Sequence, residues 1–319
     1  STAPFIPPRI KLADFIEGEV DPQSVIGEIS SFSDDTAQIP ISQNYISQGQ
    51  SNLTLLGWVN ELYNLWKSSL QLVIVDHTDT EIPWELLRIG SMHYLGTLIP
   101  IVRWLPIPLG VGHRNLIVTP RECSGDVAAY IDDVTLSSTS KEHGILSHFK
   151  TTFHNTITDL EDYIIQGDRK TCLVYLGCHG AFTSNDVTKS SFGSKLPSDG
   201  KIVPLQLEGK LVGKEITPSS VCFVNACHSG RIVKRNDQWR FHGLPITMLK
   251  HFALSYIGTL GPIGSSFAEE IGHDLLDSLN SSTEALSVPE LLRTLRIYAS
   301  QQLHSDSSSL QNQLRFIYT

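Results

Sequence analysis

Two apolar runs dominate the pattern of the chain: TCLVYLGCHG, Thr171 to Gly180, and SVCFVNACHSG, Ser220 to Gly230. Neither alternates. Each is continuously apolar, rich in Val, Leu, Tyr or Phe, and closed by glycine, the pattern of a strand covered on both faces that ends in a sharp turn. Before them, Leu55, Trp58, Val59, Leu62 and Trp66 recur at helical spacing between Asn52 and Leu70. Strands are expected at Leu70 to Asp76, Thr97 to Pro106 and Asn115 to Pro120, with IPWELLRIG (Ile82 to Gly90) between the first two. Trp84, Leu86 and Leu87 read as a core anchor, because large aromatics mostly bury area. Residues 121–140 read as loop, and helical patterns follow at 141–150 and 156–166.

Residues 182–201 are polar, rich in Gly and Ser, and without periodicity, as in a functional or disordered loop. Ile202 to Ile216 reads as a hairpin turning at Glu208–Gly209, and Arg231 to Phe241 as a second mobile segment. A helix (Leu244 to Ala253), a strand (Leu254 to Gly264) and two helices (265–279 and 287–303) follow. This β/α alternation predicts an α/β fold whose mostly parallel sheet has helices on both faces.

The division expected is residues 1–110, a weakly patterned N-terminal segment with a first half carrying no catalytic constellation, and residues 111–319, which hold both long runs. The chain opens on Ser and stops mid-pattern at LRFIYT (Leu314 to Thr319), which reads as a piece of a longer polypeptide. A formal charge of −9 without any Lys/Arg run argues against direct nucleic-acid binding. No apolar run reaches the about 18 residues that suggest a membrane span. The 5 cysteines show no disulfide-like spacing, so free thiols in a reducing cytoplasm are expected.

The chemistry lies at the ends of the two runs. If they pair in parallel, His179 and Cys227 emerge at the carboxyl edge of one sheet, where open α/β sheets place ligands. A thiol attacks as thiolate; an imidazole beside it generates that thiolate and later protonates the leaving amine. Cys227 is thus the candidate nucleophile and His179 the candidate base. The backbone N–H groups of Gly180 and Cys227 are candidate oxyanion donors. Each residue alone has a plainer reading, since free cysteine is commonly buried and inert. Cys172 and Cys222 read as core, and Cys178 as packing behind the site. His228 is expected to diverge from the nucleophile towards a loop or solvent. A zinc site built from Cys178, His179, Cys227 and His228 lacks the usual spacings, so no metal and no cofactor are expected.

Taken together, VYLGCHG, FVNACHSG and IPWELL resemble the caspase-like clan of cysteine peptidases, and specifically the CHAT family, the caspase-like domain found next to tetratricopeptide repeats. The separation 227 − 179 = 48 is close to the about 50 residues by which the His precedes the Cys in caspases. YIGTLGPIG (Tyr256 to Gly264) and RFIYT resemble the family's later strands. The resemblance implies a caspase-like fold, with a pseudo-protease half before an active half. It also implies an intracellular thiol protease acting on a protein substrate. Such an enzyme would be switched on by an attached or partner sensor, such as a tetratricopeptide-repeat protein, in bacterial antiviral defence or cell death. Relatives that cut after Arg or Lys carry Asp two residues before the Cys. Asn225 stands there, so it is the expected substrate-binding residue, and cleavage after a neutral residue is favoured. The alternative is a catalytically silent scaffold or signalling module with the same fold.

Overall fold

The computed structural model describes residues 55–75, 84–89, 93–104, 126–137, 139–166, 171–183, 189–214, 220–234, 241–282 and 287–305. The segment before Asn52, the strand expected at Asn115 to Pro120 and the closing RFIYT lie outside these residues. Two compact units emerge, one drawn chiefly from residues up to Arg103 and from Leu292 onward, the other chiefly from Trp104 to Leu291. The first break falls after Arg103, and residues 292–305 group with the first unit.

In the first unit, helix α1 (Leu55–Trp66) leads to strand β1 (Leu72–Val75). Strands β2 (Arg88–Ile89) and β3 (His93–Tyr94) pair antiparallel, a helical turn α2 (Leu95–Leu98) follows, and β4 (Ile101–Trp104) pairs with β1. Val59 of α1 is buried with Leu87, Leu95, Ile99 and Ile101, and Tyr63 and Trp84 pack against that core. The helical face is narrower than expected, because Trp58 and Trp66 are 39% and 60% exposed. Glu85 of the IPWELL stretch is buried and ion-paired with Arg103, with Arg296 NH2 3.9 Å away.

The second unit is built on a five-stranded sheet in which every described pairing is parallel. Its strands in chain order are β5 (Asp126–Ile131), β6 (Thr151–Phe153), β7 (Thr171–Gly177), β11 (Ser220–Asn225) and β14 (Ala253–Ile257), arranged 14-11-7-5-6. Helix α3 (Ser140–Leu146) joins β5 to β6, and α4 (Ile157–Gln166) joins β6 to β7. Thr156 and Asp159 cap α4 reciprocally: each backbone N–H donates to the other's side chain at 3.1 Å. Between β7 and β11 the chain forms β8 (His179–Ala181), β9 (Ser191–Gly193), β10 (Lys201–Ile202) and helix α5 (Pro204–Leu211). After β11 come the short pair β12 (Val233–Lys234) and β13 (Phe241–His242), then α6 (Leu244–His251), β14 and α7 (Ser265–Ser281); helix α8 (Val288–Ser305) belongs from Leu292 onward to the first unit.

Alternation along the strands divides the side chains between two layers. Val174, Leu176, Cys222 and Val224 join one core with Ile157, Leu160 and Ile164 of α4, Leu207 and Leu211 of α5, and Leu244 and Met248 of α6. Tyr175 and Phe223 face the other way and meet edge to face at 5.1 Å, with Tyr175 reaching Glu142 of α3. The α/β class and the parallel sheet are as the alternation predicts.

Three local expectations are corrected. Residues 121–140 carry β5, a buried central strand, rather than loop alone. The aperiodic segment 182–201 contributes β9 and β10, which with β8 make a three-stranded antiparallel sheet. The expected hairpin is helix α5: Pro204 opens it, and Pro204, Leu207 and Leu211 form one buried stripe, while Gly209 meets nothing and is simply tolerated.

Candidate active site

The register of β7 against β11 positions the two candidate residues. Val221 faces Leu173, and the pairing runs to Asn225 opposite Gly177. Two residues further on, both chains leave the same carboxyl edge at His179 and Cys227. On the other side of β7, Ile131 of β5 also pairs with Gly177, so Asp132 leaves that edge too. The strand order reverses between β5 and β7, which makes this edge a topological switch point.

His179 then turns into β8, opposite Gly193 of β9. The next residue must be glycine: a Cβ on Gly180 would overlap the Cys227 carbonyl and lie 3.2 Å from the Cys227 nitrogen. The His179 strand and the Cys227 turn are thus in backbone contact. That turn is tightly braced. His228 takes the left-handed conformation (φ 57°) and its N–H donates to Gly261 O at 3.0 Å. Ser229 is fully buried, donates to Val224 O at 2.7 Å and accepts from the Thr259 N–H at 3.0 Å. Thr259 donates in turn to Ala226 O at 2.6 Å.

The Cys227 thiol is partly exposed and engages Ile263, donating to its carbonyl at 3.4 Å and accepting from its N–H at 3.3 Å. His179 is 28% exposed, with Nε2 3.9 Å from Asp132 Oδ2. The Asp132 carboxylate is fully buried and held by the Thr135 N–H (3.0 Å) and hydroxyl. Sequence reasoning did not find Asp132. The available signal was its place at the end of AAYID, a third apolar run closing at the same sheet edge.

The remaining candidates separate clearly. Cys178 and Cys222 are buried, and burial pushes both thiols well above the usual thiol range, with the Asp132 charge adding to the effect at Cys178. Cys172 is disulfide-bonded, which overturns the expectation that all the cysteines are free thiols. His228 stacks on Phe182 at 6.3 Å rather than facing open solvent. Burial, aided by the Arg231 charge, pushes its pKa down to about 4, so it stays neutral. Asn225, expected to meet substrate, is 2% exposed and turned under the sheet edge. Its amide nitrogen donates to Glu142 Oε1 and Ala268 O, both at 2.7 Å. Helices α3 and α7 cover it, so its side chain is not presented to a substrate. Arg231, which sequence could not place, is 4% exposed with its guanidinium 4.2 Å from the centre of the Phe182 ring. Both line a small pocket together with Phe192, His242 and Thr247.

No family model and no curated protein matches the chain. Among solved structures, it is similar to the complex of the RgpB pro- and mature domains from Porphyromonas gingivalis (TM-score 0.54, 10% identity, covering 94% of this chain and 76% of that one). It is also similar to the Arg-specific cysteine proteinase gingipain R (TM-score 0.49, 11% identity, covering 92% and 73%). The likeness to the RgpB domains is one of fold, α/β and caspase-like with a mostly parallel central sheet.

Proposed function

We propose that the chain is a CHAT-type cysteine endopeptidase that cuts a specific protein partner with Cys227 as nucleophile and His179 as general base and acid. The observation that carries this reading is the β7–β11 register, continued by the backbone contact of Gly180 with Cys227. Asp132 Oδ2, buried and 3.9 Å from His179 Nε2, is placed to orient the imidazole. Among the described residues, the Cys227 N–H donates to no acceptor, which suits it, with the Gly180 N–H, to meet a developing oxyanion.

In this reading the first unit is the pseudo-protease half. An attached sensor or tetratricopeptide-repeat partner switches the enzyme on, in bacterial antiviral defence or cell death. The proposed location is the cytoplasm. Among the described residues no helix is long and apolar enough to cross a membrane, while the Cys172 disulfide removes part of the free-thiol argument for that compartment.

One observation favours a second reading, a silent scaffold: the thiol is engaged by Ile263 rather than by His179. Two measurements discriminate. Selective alkylation of Cys227 by iodoacetamide at neutral pH, lost in His179→Ala, marks an activated thiol, and uniform slow labelling of the free cysteines marks the scaffold. Incubation with the products of neighbouring genes, followed by mass spectrometry, should yield fragments that depend on Cys227.

A further inference from the structure

Beneath the strand ends lies a buried carboxylate that the proposed chemistry does not use. Glu142 of α3 is 2% exposed, and its Oε1 accepts from the Tyr175 hydroxyl of β7 and the Asn225 amide of β11. Asn225 passes the contact on to Ala268 O in α7. One turn along α7, Gly272 lies flat over the cluster: a Cβ there would come within 2.6 Å of the Tyr175 hydroxyl, 2.7 Å of Glu142 Oε1 and 2.9 Å of Asn225 Nδ2. Gly177 is also near, since its Cβ would lie 3.3 Å from Glu142 Oε2.

The elements joined here are those that carry the site. Gly177 is two residues before His179, and Asn225 is two before Cys227. Ile263, which grips the Cys227 thiol, is two residues before the start of α7. One side chain therefore touches both strand ends and the helix behind the thiol clamp.

We propose that Glu142 is a positioning residue: as a neutral acid it holds β7, β11 and α7 in the arrangement that aligns Cys227, and its ionisation loosens that arrangement and lowers Cys227 reactivity. The proposal rests on reading Cys227 as an activated thiol. The surroundings explain why ionisation would act mechanically. From β7 the cluster receives Tyr175, with the Cys178 thiol close enough to sense the Glu142 charge. From β11 it receives the neutral Asn225, and from α7 the second carboxylate, Glu269, which is occupied by the Lys141 N–H at 2.8 Å and by Ser140. Among the described residues no Lys or Arg pairs with Glu142. Burial raises its pKa to about 7, the Tyr175 and Asn225 hydrogen bonds oppose this, and the Glu269 charge adds to it. A buried charge without a counter-ion is relieved by local opening or by proton uptake.

The test is the rate of Cys227 alkylation by iodoacetamide from pH 5 to 9, in the full chain and in Glu142→Gln. An ordinary thiol reacts faster as pH rises. The wild-type rate should instead bend downward above about pH 7, while Glu142→Gln continues to rise to a plateau. At pH 8.5 the variant should label at least about threefold faster, with no difference at pH 5.5. Should the variant fail to fold, hydrogen exchange of the wild-type amides 227–229, corrected for intrinsic rates, carries the same information: protection should fall across the same pH range. Superimposed profiles with Cys227 still selectively labelled, or unchanged protection, overturn this proposal alone. Unselective labelling at every pH overturns the activated thiol and this proposal together.

Discussion

Replacing Asn225 by Asp separates two accounts of one position. The sequence pattern predicts that Asn225→Asp installs a counter-charge for a basic substrate side chain. The structure predicts damage to a buried network instead. The Asn225 amide nitrogen sits 2.7 Å from both Glu142 Oε1 and Ala268 O and 3.1 Å from the Tyr175 hydroxyl. In the variant an acceptor replaces that donor. Glu142 Oε1 keeps the Tyr175 hydroxyl and Ala268 O keeps its place in the α7 ladder, so each loses one hydrogen bond of about 0.5–1.5 kcal/mol, roughly 1–3 kcal/mol together. Two carboxylates at this separation cannot both ionise: at an effective dielectric of 20 their repulsion is about 6 kcal/mol. They must share a proton, as in carboxylate pairs generally. The new group's folded pKa is then raised above its unfolded value of about 3.9. A raised carboxyl pKa means the folded state binds the proton more tightly. The added deficit is therefore absent below about pH 4 and grows by about 1.4 kcal/mol per pH unit as pH rises towards the folded value. Urea denaturation at pH 5 and pH 7 measures both parts, and a peptide library measures specificity. A variant as stable as wild type at both pH values, with a new preference for Arg or Lys before the cut, would refute the buried-network reasoning.

Four further outcomes are expected. Cys227→Ala and His179→Ala should each lower cleavage by on the order of a thousandfold while leaving the urea midpoint near wild type, because both side chains stand at strand ends; normal turnover in either removes the dyad. Gly180→Ala should abolish selective Cys227 labelling, since its Cβ meets the Cys227 carbonyl, and unchanged labelling kinetics would show that the contact is dispensable. Glu85→Ala should destabilise the first unit by about 3–5 kcal/mol, because it removes a buried carboxylate that is ion-paired with Arg103 and lies 3.9 Å from Arg296; a denaturation curve matching wild type would contradict this. In denatured but unreduced protein Cys172 should resist iodoacetamide until dithiothreitol is added, whereas Cys178, Cys222 and Cys227 label at once, as peptide mapping would read.

The sequence by itself determined the parallel sheet and the placing of His179 and Cys227 at one edge of it. Continuous apolar runs such as CLVYL and VCFV make sense only as strands covered on both faces, and the glycines after them mark where each chain must turn. Helices α4 and α7 were legible for the same kind of reason: their periodicity and, for α4, its capping residues lie within a few positions of one another. What tertiary structure decided concerns neighbours that arrive from far along the chain. Asn225 is a network residue because Glu142 and Ala268 reach it across 83 and 43 positions, and no local pattern reports which helix will cover a strand end. Asp132 became a partner of His179 only once β5 paired with β7. Strands β9 and β10, two or three residues long, carry too little periodicity to read alone and exist through their ladder with β8. The α5 sequence reads as a hairpin because Glu208–Gly209 suggests a turn, whereas burial of Leu207 and Leu211 beneath α6 outweighs the about 1 kcal/mol that a helical glycine costs. Local sequence sets the period and the turns; which polar groups become buried together is settled by packing between distant segments.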